Sequence, residues 1–316
     1  MRGTLAWWVD GAMCNMMHAL QWRRRRDASR PADLKAYRES CLGLSRGDYL
    51  ALADGGPTGP VGEALEWTSP RSSGHPENDR ARAWIMPGAS RNSPAVLLLH
   101  ALMSASDAGY RRLASRWNAR GWTVVFPHLP FHYSRTPLGT WNGELAITAD
   151  LVRNAEGVRQ AVMEMRQLMA WLRSGGTREF GLVGTSYGGW TGALLASVEA
   201  DWRFVALVQP IVNMDKAVWE SPGSAVLRRE LRRLGHSRGG TEWFDHLGSP
   251  LHSPLACEAG RIVVTAGLHD RVSPMADLEA AAGVWGGCEL LHAEQGHFGY
   301  AALRETVCHI ERRGWI

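Results

Sequence analysis

From residue 95 onward the chain repeats one local event: a mostly apolar run, a stop at glycine, proline or a polar turn, then a helical period. The runs are AVLLLH (95–100), TVVF (123–126), EFGLVG (179–184), FVALVQ (204–209) and IVVTA (262–266), with a shorter one at 289–291. Strands without a polar face are buried on both sides, as in parallel sheets. Helical patterns at 111–120, 157–173, 186–197 and about 299–312 supply two covering layers. The expected fold class is α/β: a mostly parallel central sheet with helices on both faces. The proline after TVVF is expected to stop that strand.

Composition narrows the function classes. At 316 residues, 45% hydrophobic and 21% charged, the chain is expected to fold throughout. No apolar run reaches the ~18 residues that a bilayer span needs. Apolar segments at 5–9 and 13–20 come before the arginine run at 23–26, the reverse of a secretory signal, so the expectation is a cytoplasmic protein with no stable membrane insertion. Basic and acidic residues nearly balance at 35 and 31, and nucleic acid is not an expected partner. Five scattered cysteines without a Cys-x-x-Cys pair suggest neither a disulfide framework nor a zinc site, and no metal or cofactor is expected. Residues 1–60 read as irregular, and 69–80 as an exposed loop.

Three segments match G-x-S-x-G: GLSRG at 43–47, GTSYG at 184–188 and GHSRG at 235–239. Such a serine needs a buried strand before it and a helix directly after it, because a sharp strand-to-helix turn holds its Oγ out of the sheet. Ser186 alone has both, so it is the candidate nucleophile; Ser45 and Ser237 read as surface turns.

A serine hydroxyl is a weak nucleophile until a base takes its proton and a carboxylate orients that base. In this architecture the order is serine, acid, histidine. His297, in the glycine-flanked loop EQGHFG, is the candidate base, with His292 as runner-up. Asp270 follows the strand at 262–266 and is the candidate acid; Asp215, after the strand at 204–209, is its rival.

With LLLHALM, GLVGTSYGG, TAGLHDRVSP and EQGHFGY in this order, the chain resembles alpha/beta-hydrolase fold proteins over about residues 80–316. The segment PHLPFHYSRTP (127–137) resembles the alpha/beta hydrolase domain-containing protein 18 group. The resemblance implies residues 1–80 as an N-terminal extension with the first strands, and 81–316 as the hydrolase domain. A cap insertion is expected at about 213–258.

The resemblance also implies an oxyanion hole. One donor is the N–H of Tyr187 and the second that of Leu102, with Ala101 or Met103 as alternatives. Alanine stands at 101 where the family has glycine, so the loop is expected to turn differently. His100, His132, Tyr133 and Trp219 are candidate substrate-binding residues. His128 and Arg135 belong to the same loop, whose self-bonded form is the competing reading. In the insertion, Leu227, Leu231 and Leu234 share a helical face opposite Arg228, Arg229, Arg232 and Arg233, as in a lid, with Trp219, Trp243 and Phe244 as its aromatics. This segment, rather than the triad, is expected to set substrate choice. The implied function is a serine hydrolase cleaving a small-molecule carboxylic ester through an acyl-enzyme. A thioesterase, a peptidase or a non-catalytic binding protein remain alternatives, and the oligomeric state is open.

Overall fold

The computed structural model describes residues 2–22, 29–59, 64–238 and 245–316, without the side chains of residues 2, 18, 20–22, 245 and 246. The arginine run at 23–26, Gly239, Trp243 and Phe244 lie outside the described residues. Among the described residues eight strands form one sheet. They are β1 (Ala64–Thr68), β2 (Arg80–Met86), β3 (Ala95–Leu99), β4 (Thr123–His128), β5 (Phe180–Thr185), β6 (Trp202–Val208), β7 (Ile262–Gly267) and β8 (Glu289–Ala293). Their order is β1-β2-β4-β3-β5-β6-β7-β8. β1 and β2 run antiparallel to their neighbours, and the other strands are mutually parallel.

Alternation along the strands sorts side chains onto two faces. Leu97, Leu99, Leu182, Val205, Leu207 and Val264 point to one core, against helices at Leu151–Ser174, Tyr187–Ala196 and Met275–Val284. Val96, Leu98, Val124, Phe126, Val183 and Val263 point to the other, against Ala108–Asn118 and Ala301–Arg312. Every residue of β3 is buried, as its uninterrupted apolar run requires.

The strand carrying TVVF does not stop at Pro127. It continues to His128, with Ala83↔Pro127 still in register. Its pairing with β3 ends at Leu97↔Val125, so the proline lies beyond the doubly paired stretch, where a missing N–H is tolerated.

The larger correction concerns the first sixty residues. Their described residues include three helices, α1 (Arg2–Trp22), α2 (Pro31–Cys41) and α3 (Arg46–Tyr49). Ser45, read as a turn before no helix, caps the short α3: its Oγ accepts the Asp48 N–H at 3.1 Å. In chain order the remaining helices are α4 (Ala108–Asn118), α5 (Leu151–Ser174), α6 (Tyr187–Ala196), α7 (Met214–Trp219), α8 (Ala225–Arg233), α9 (Asp245–Gly248), α10 (Met275–Val284) and α11 (Ala301–Arg312). Among the described residues no helix is long and apolar enough to cross a membrane.

Candidate active site

The carboxyl ends of five neighbouring strands each deliver one residue to the same edge: His100 after β3, Ser186 after β5, Gln209 after β6, Asp270 after β7 and His297 after β8. Open parallel sheets bind ligands there, because the loops diverge and leave a crevice.

Ser186 sits between β5 and α6 with φ 52° and ψ −110°, a left-handed turn that a non-glycine residue adopts only under constraint. The constraint comes from both sides. Ser186 N–H donates to Val208 O at 2.9 Å, and Trp190 N–H donates to Ser186 O at 2.9 Å. The flanking glycines permit the close packing: a Cβ on Gly184 would strike the Gly188 carbonyl, and one on Gly188 would strike the carbonyls of Leu99 and His100.

His297 Nε2 lies 2.8 Å from Ser186 Oγ, and its Nδ1 lies 2.8 Å from Asp270 Oδ2. The other carboxylate oxygen accepts the N–H groups of Val272 and Ser273, each at 2.8 Å, so the Asp270 side chain is fixed in orientation. Burial alone would push the His297 pKa down. The Asp270 charge, the hydrogen bond to it and the Asp10 charge outweigh burial and hold it above the ordinary imidazole value.

The rivals lie elsewhere. His292 is exposed on β8, and Asp215 pairs with Arg238 at 2.6 Å on the surface.

Sequence reasoning missed three supports. Gln209, held at φ 47°, donates through Nε2 to Asp270 Oδ2 at 2.5 Å and to Gly296 O at 2.8 Å. Gln295 donates to Gln209 Oε1 at 2.6 Å and accepts the Ala302 N–H at 3.0 Å. Asp10 of α1 accepts the N–H of His297 at 2.9 Å and that of Phe298 at 3.2 Å. A glutamine at the end of an apolar strand is the one readable signal among these; nothing local marks Asp10.

The loop after β3 turns at Met103, φ 53°, rather than at Ala101. Met103 N–H donates to His132 Nε2 at 3.0 Å and is thereby used. The N–H groups of Leu102 and Tyr187 have no partner among the described residues, and both residues line the cavity above Ser186.

His100, His132, Tyr133 and Trp219, expected as substrate contacts, stand behind that cavity's wall. His100 accepts the Leu129 N–H at Nε2 and so carries its proton on Nδ1, which donates to Ala101 O at 2.9 Å. His132 likewise donates from Nδ1 to Pro130 O at 2.8 Å. Burial first, with the Arg135 charge adding, depresses the His132 pKa to about 4, so the ring stays neutral and both its nitrogens serve the loops. Tyr133 packs edge-on against His100, ring centroids 4.9 Å apart. Trp219 is buried in a small cluster with Ala149, Leu227 and Leu231. Beneath the loop, Arg135 forks onto Glu164 at 2.6 and 2.8 Å and also donates to the carbonyls of Asn78 and His128.

The cavity measures about 1520 Å³. Its apolar walls come from α1, α2, the start of α5, α7 and α8, with Met13, Met17, Leu34, Leu151, Met214 and Leu227 among them. From the insertion, Leu227 reaches the cavity while Leu231 supports it from behind. Arg228, assigned to the solvated side of α8, instead braces the segment by donating to the carbonyls of Val218 and Ser221. Arg112, Arg116 and Arg304 stand toward α4 and α11, and no aspartate or glutamate lines the cavity among the described residues.

Comparison with known proteins agrees with this architecture. The family model "Alpha/beta hydrolase domain containing 18" matches residues 76–219, a stretch that includes Ser186 and ends before Asp270 and His297. Two curated relatives, uncharacterized proteins from two strains of Mycobacterium tuberculosis, are 27% identical over 247 residues, covering 73% of this chain. The match spans 58% of those relatives' length. A puromycin-hydrolyzing peptidase of Mycobacterium tuberculosis aligns with TM-score 0.56 and 16% identity over 74% of this chain and 36% of its own. Acylaminoacyl peptidase of Pyrococcus horikoshii gives 0.54 and 13% over 80% and 40%. An esterase of Thermogutta terrifontis gives 0.51 and 17% over 76% and 88%. The chain has the alpha/beta-hydrolase fold and resembles the alpha/beta hydrolase domain containing 18 family.

Proposed function

We propose that this alpha/beta-hydrolase fold chain is a serine hydrolase that cleaves a small-molecule carboxylic ester bearing an apolar acyl group. The observation that carries the reading is the hydrogen-bonded series Ser186–His297–Asp270, mounted on a strained turn at the floor of an apolar cavity. Ser186 Oγ attacks the ester carbonyl while His297 Nε2 takes its proton. Asp270 holds the proton on Nδ1, so Nε2 presents a lone pair to the serine, and it stabilises the imidazolium that forms. The tetrahedral oxyanion is received by the free N–H groups of Leu102 and Tyr187, each contributing roughly 3–4 kcal/mol by analogy with single-donor removals. His297 then returns the proton to the departing alcohol. Water, deprotonated by the same ring, clears the acyl-enzyme.

Peptidases and an esterase share the fold, and the series of residues alone does not choose between their bonds. What supports the ester is that, among the described residues, no carboxylate lines the cavity to receive a peptide's amino terminus. A fluorophosphonate probe is expected to label the wild type at one site, with labelling lost in Ser186→Ala and kept in Ser45→Ala and Ser237→Ala. Labelling that survives Ser186→Ala removes the assignment. A panel of chromogenic esters of graded acyl length, run beside matching anilides and thioesters, tests the bond.

A further inference from the structure

Asp10 is a carboxylate in the middle of α1, 1% exposed, on a helix with no other charged residue from 3 to 22. Burying a carboxylate is costly unless hydrogen bonds compensate it. Among the described residues its hydrogen bonds go to the N–H of His297 at 2.9 Å and of Phe298 at 3.2 Å. Neither bond serves α1 itself. Gly296 lies so close to this carboxylate that a Cβ there would collide with both oxygens. On the same helix, Val9, Met13, Cys14, Met16 and Met17 line the cavity. One element therefore walls the cavity and grips the backbone of the residue whose ring meets Ser186.

We propose that Asp10 is a positioning residue: by anchoring the His297–Phe298 backbone from α1, it keeps the imidazole in reach of Ser186 only while α1 is seated over the cavity. The inference rests on reading Ser186 and His297 as nucleophile and base. The inner partners of this loop, Gln209 and Gln295, hold Asp270 and the Gly296 carbonyl but leave the N–H groups of residues 297 and 298 to α1. A neutral side chain would fill the space; a carboxylate also adds its charge beside His297.

The charged and titratable groups around this contact are few. Asp270 and Asp10 act on His297, both raising its pKa against the effect of burial. Cys14, on α1, has its thiol pushed up to about 11 by burial and then by Asp10, and stays neutral; Arg271 and Asp270 also act on it. His269 faces Gly3 of α1 and lies 3.3 Å from Glu294. Removing the Asp10 charge therefore lowers the His297 pKa. Because the base must be unprotonated, the acid limb of the rate moves toward lower pH.

The test measures fluorophosphonate labelling of Ser186 against pH in the full chain, for wild type, Asp10→Asn and Gly296→Ala, beside an NMR titration of the His297 ring. Asp10→Asn is expected to lower the plateau rate roughly 10- to 100-fold through misplacement of the base. Its acid limb and its imidazole pKa should both move down together. Gly296→Ala keeps every charge but forces the loop off Asp10; the plateau should fall with a smaller shift. A plateau loss in Asp10→Asn with limb and imidazole unmoved would make Asp10 merely structural and overturn the proposal. So would a wild-type rate in Gly296→Ala. If wild type is not labelled at Ser186 yet the imidazole still shifts in Asp10→Asn, the hydrolase reading fails and the hold of Asp10 on His297 stands.

Discussion

Two loops flank Ser186 and are held in opposite ways. The loop at 129–135 is braced from within the sheet domain. Arg135 and Glu164 pair beneath it, Asn78 accepts from it and donates to Gln160, and the neutral rings of His100 and His132 tie it to the segment at 101–103. The loop carrying His297 is braced from within through the Gly296 carbonyl and the Gln295 side chain, while the N–H groups of residues 297 and 298 are taken by α1, far away in sequence. The contrast assigns different risks. Failure of the inner brace is a failure of folding. Failure of the outer one leaves a folded protein whose His297 ring is out of register with Ser186.

The sharpest way to break that contrast is at the base itself. Asp270→Asn should cost about 10⁴ in kcat, since an amide favours the wrong imidazole tautomer, while the melting temperature changes far less than the rate does. A comparable loss of both would erase the distinction between the two loops. Next in size, Glu164→Gln leaves Arg135 buried without its counter-charge. Chemical denaturation should show a loss of about 3–5 kcal/mol, with the labelling rate of the folded fraction nearly unchanged. A large rate loss in the folded fraction would mean the inner brace also tunes the chemistry. The smallest effect is expected at the cavity wall. Leu227→Ala should reorder the preference among ester chain lengths by roughly 10-fold, equivalent to one or two methylenes of apolar contact, with Ser186 still labelled. An unchanged ranking would remove α8 from the wall that reads the substrate.

The sheet was legible because strands buried on both faces leave unbroken apolar runs, and β3, β5, β6 and β7 begin within about two residues of where those runs do. Ser186, Asp270 and His297 could be named as candidates because each follows a recognisable strand into a loop. The four expected substrate contacts came from the same edge logic and missed, since a strand end says which rim a residue joins but not which way its side chain turns. His132 turns inward because Met103 N–H and Pro130 O claim both its nitrogens. α1 escaped because its apolar residues run around the whole helix, with glycine at 3 and 11 and no polar face to set a period. Asp10 read as an interruption of an apolar segment, and only the tertiary structure shows what it meets.

The bond between Asp10 and the backbone of His297 joins residues 287 apart in sequence. A contact of that span closes late, because its loop entropy is repaid only when the intervening strands have already docked. During synthesis α1 is made well before the loop that carries His297 and waits for it. Meanwhile it presents Leu5, Trp7 and Trp8 to solvent, residues that remain 67%, 46% and 64% exposed even in the finished fold. A partly made chain would therefore hold Ser186 before it holds a gripped His297, so that, with the roles proposed above, reactivity would arrive after the fold that contains it rather than along with it.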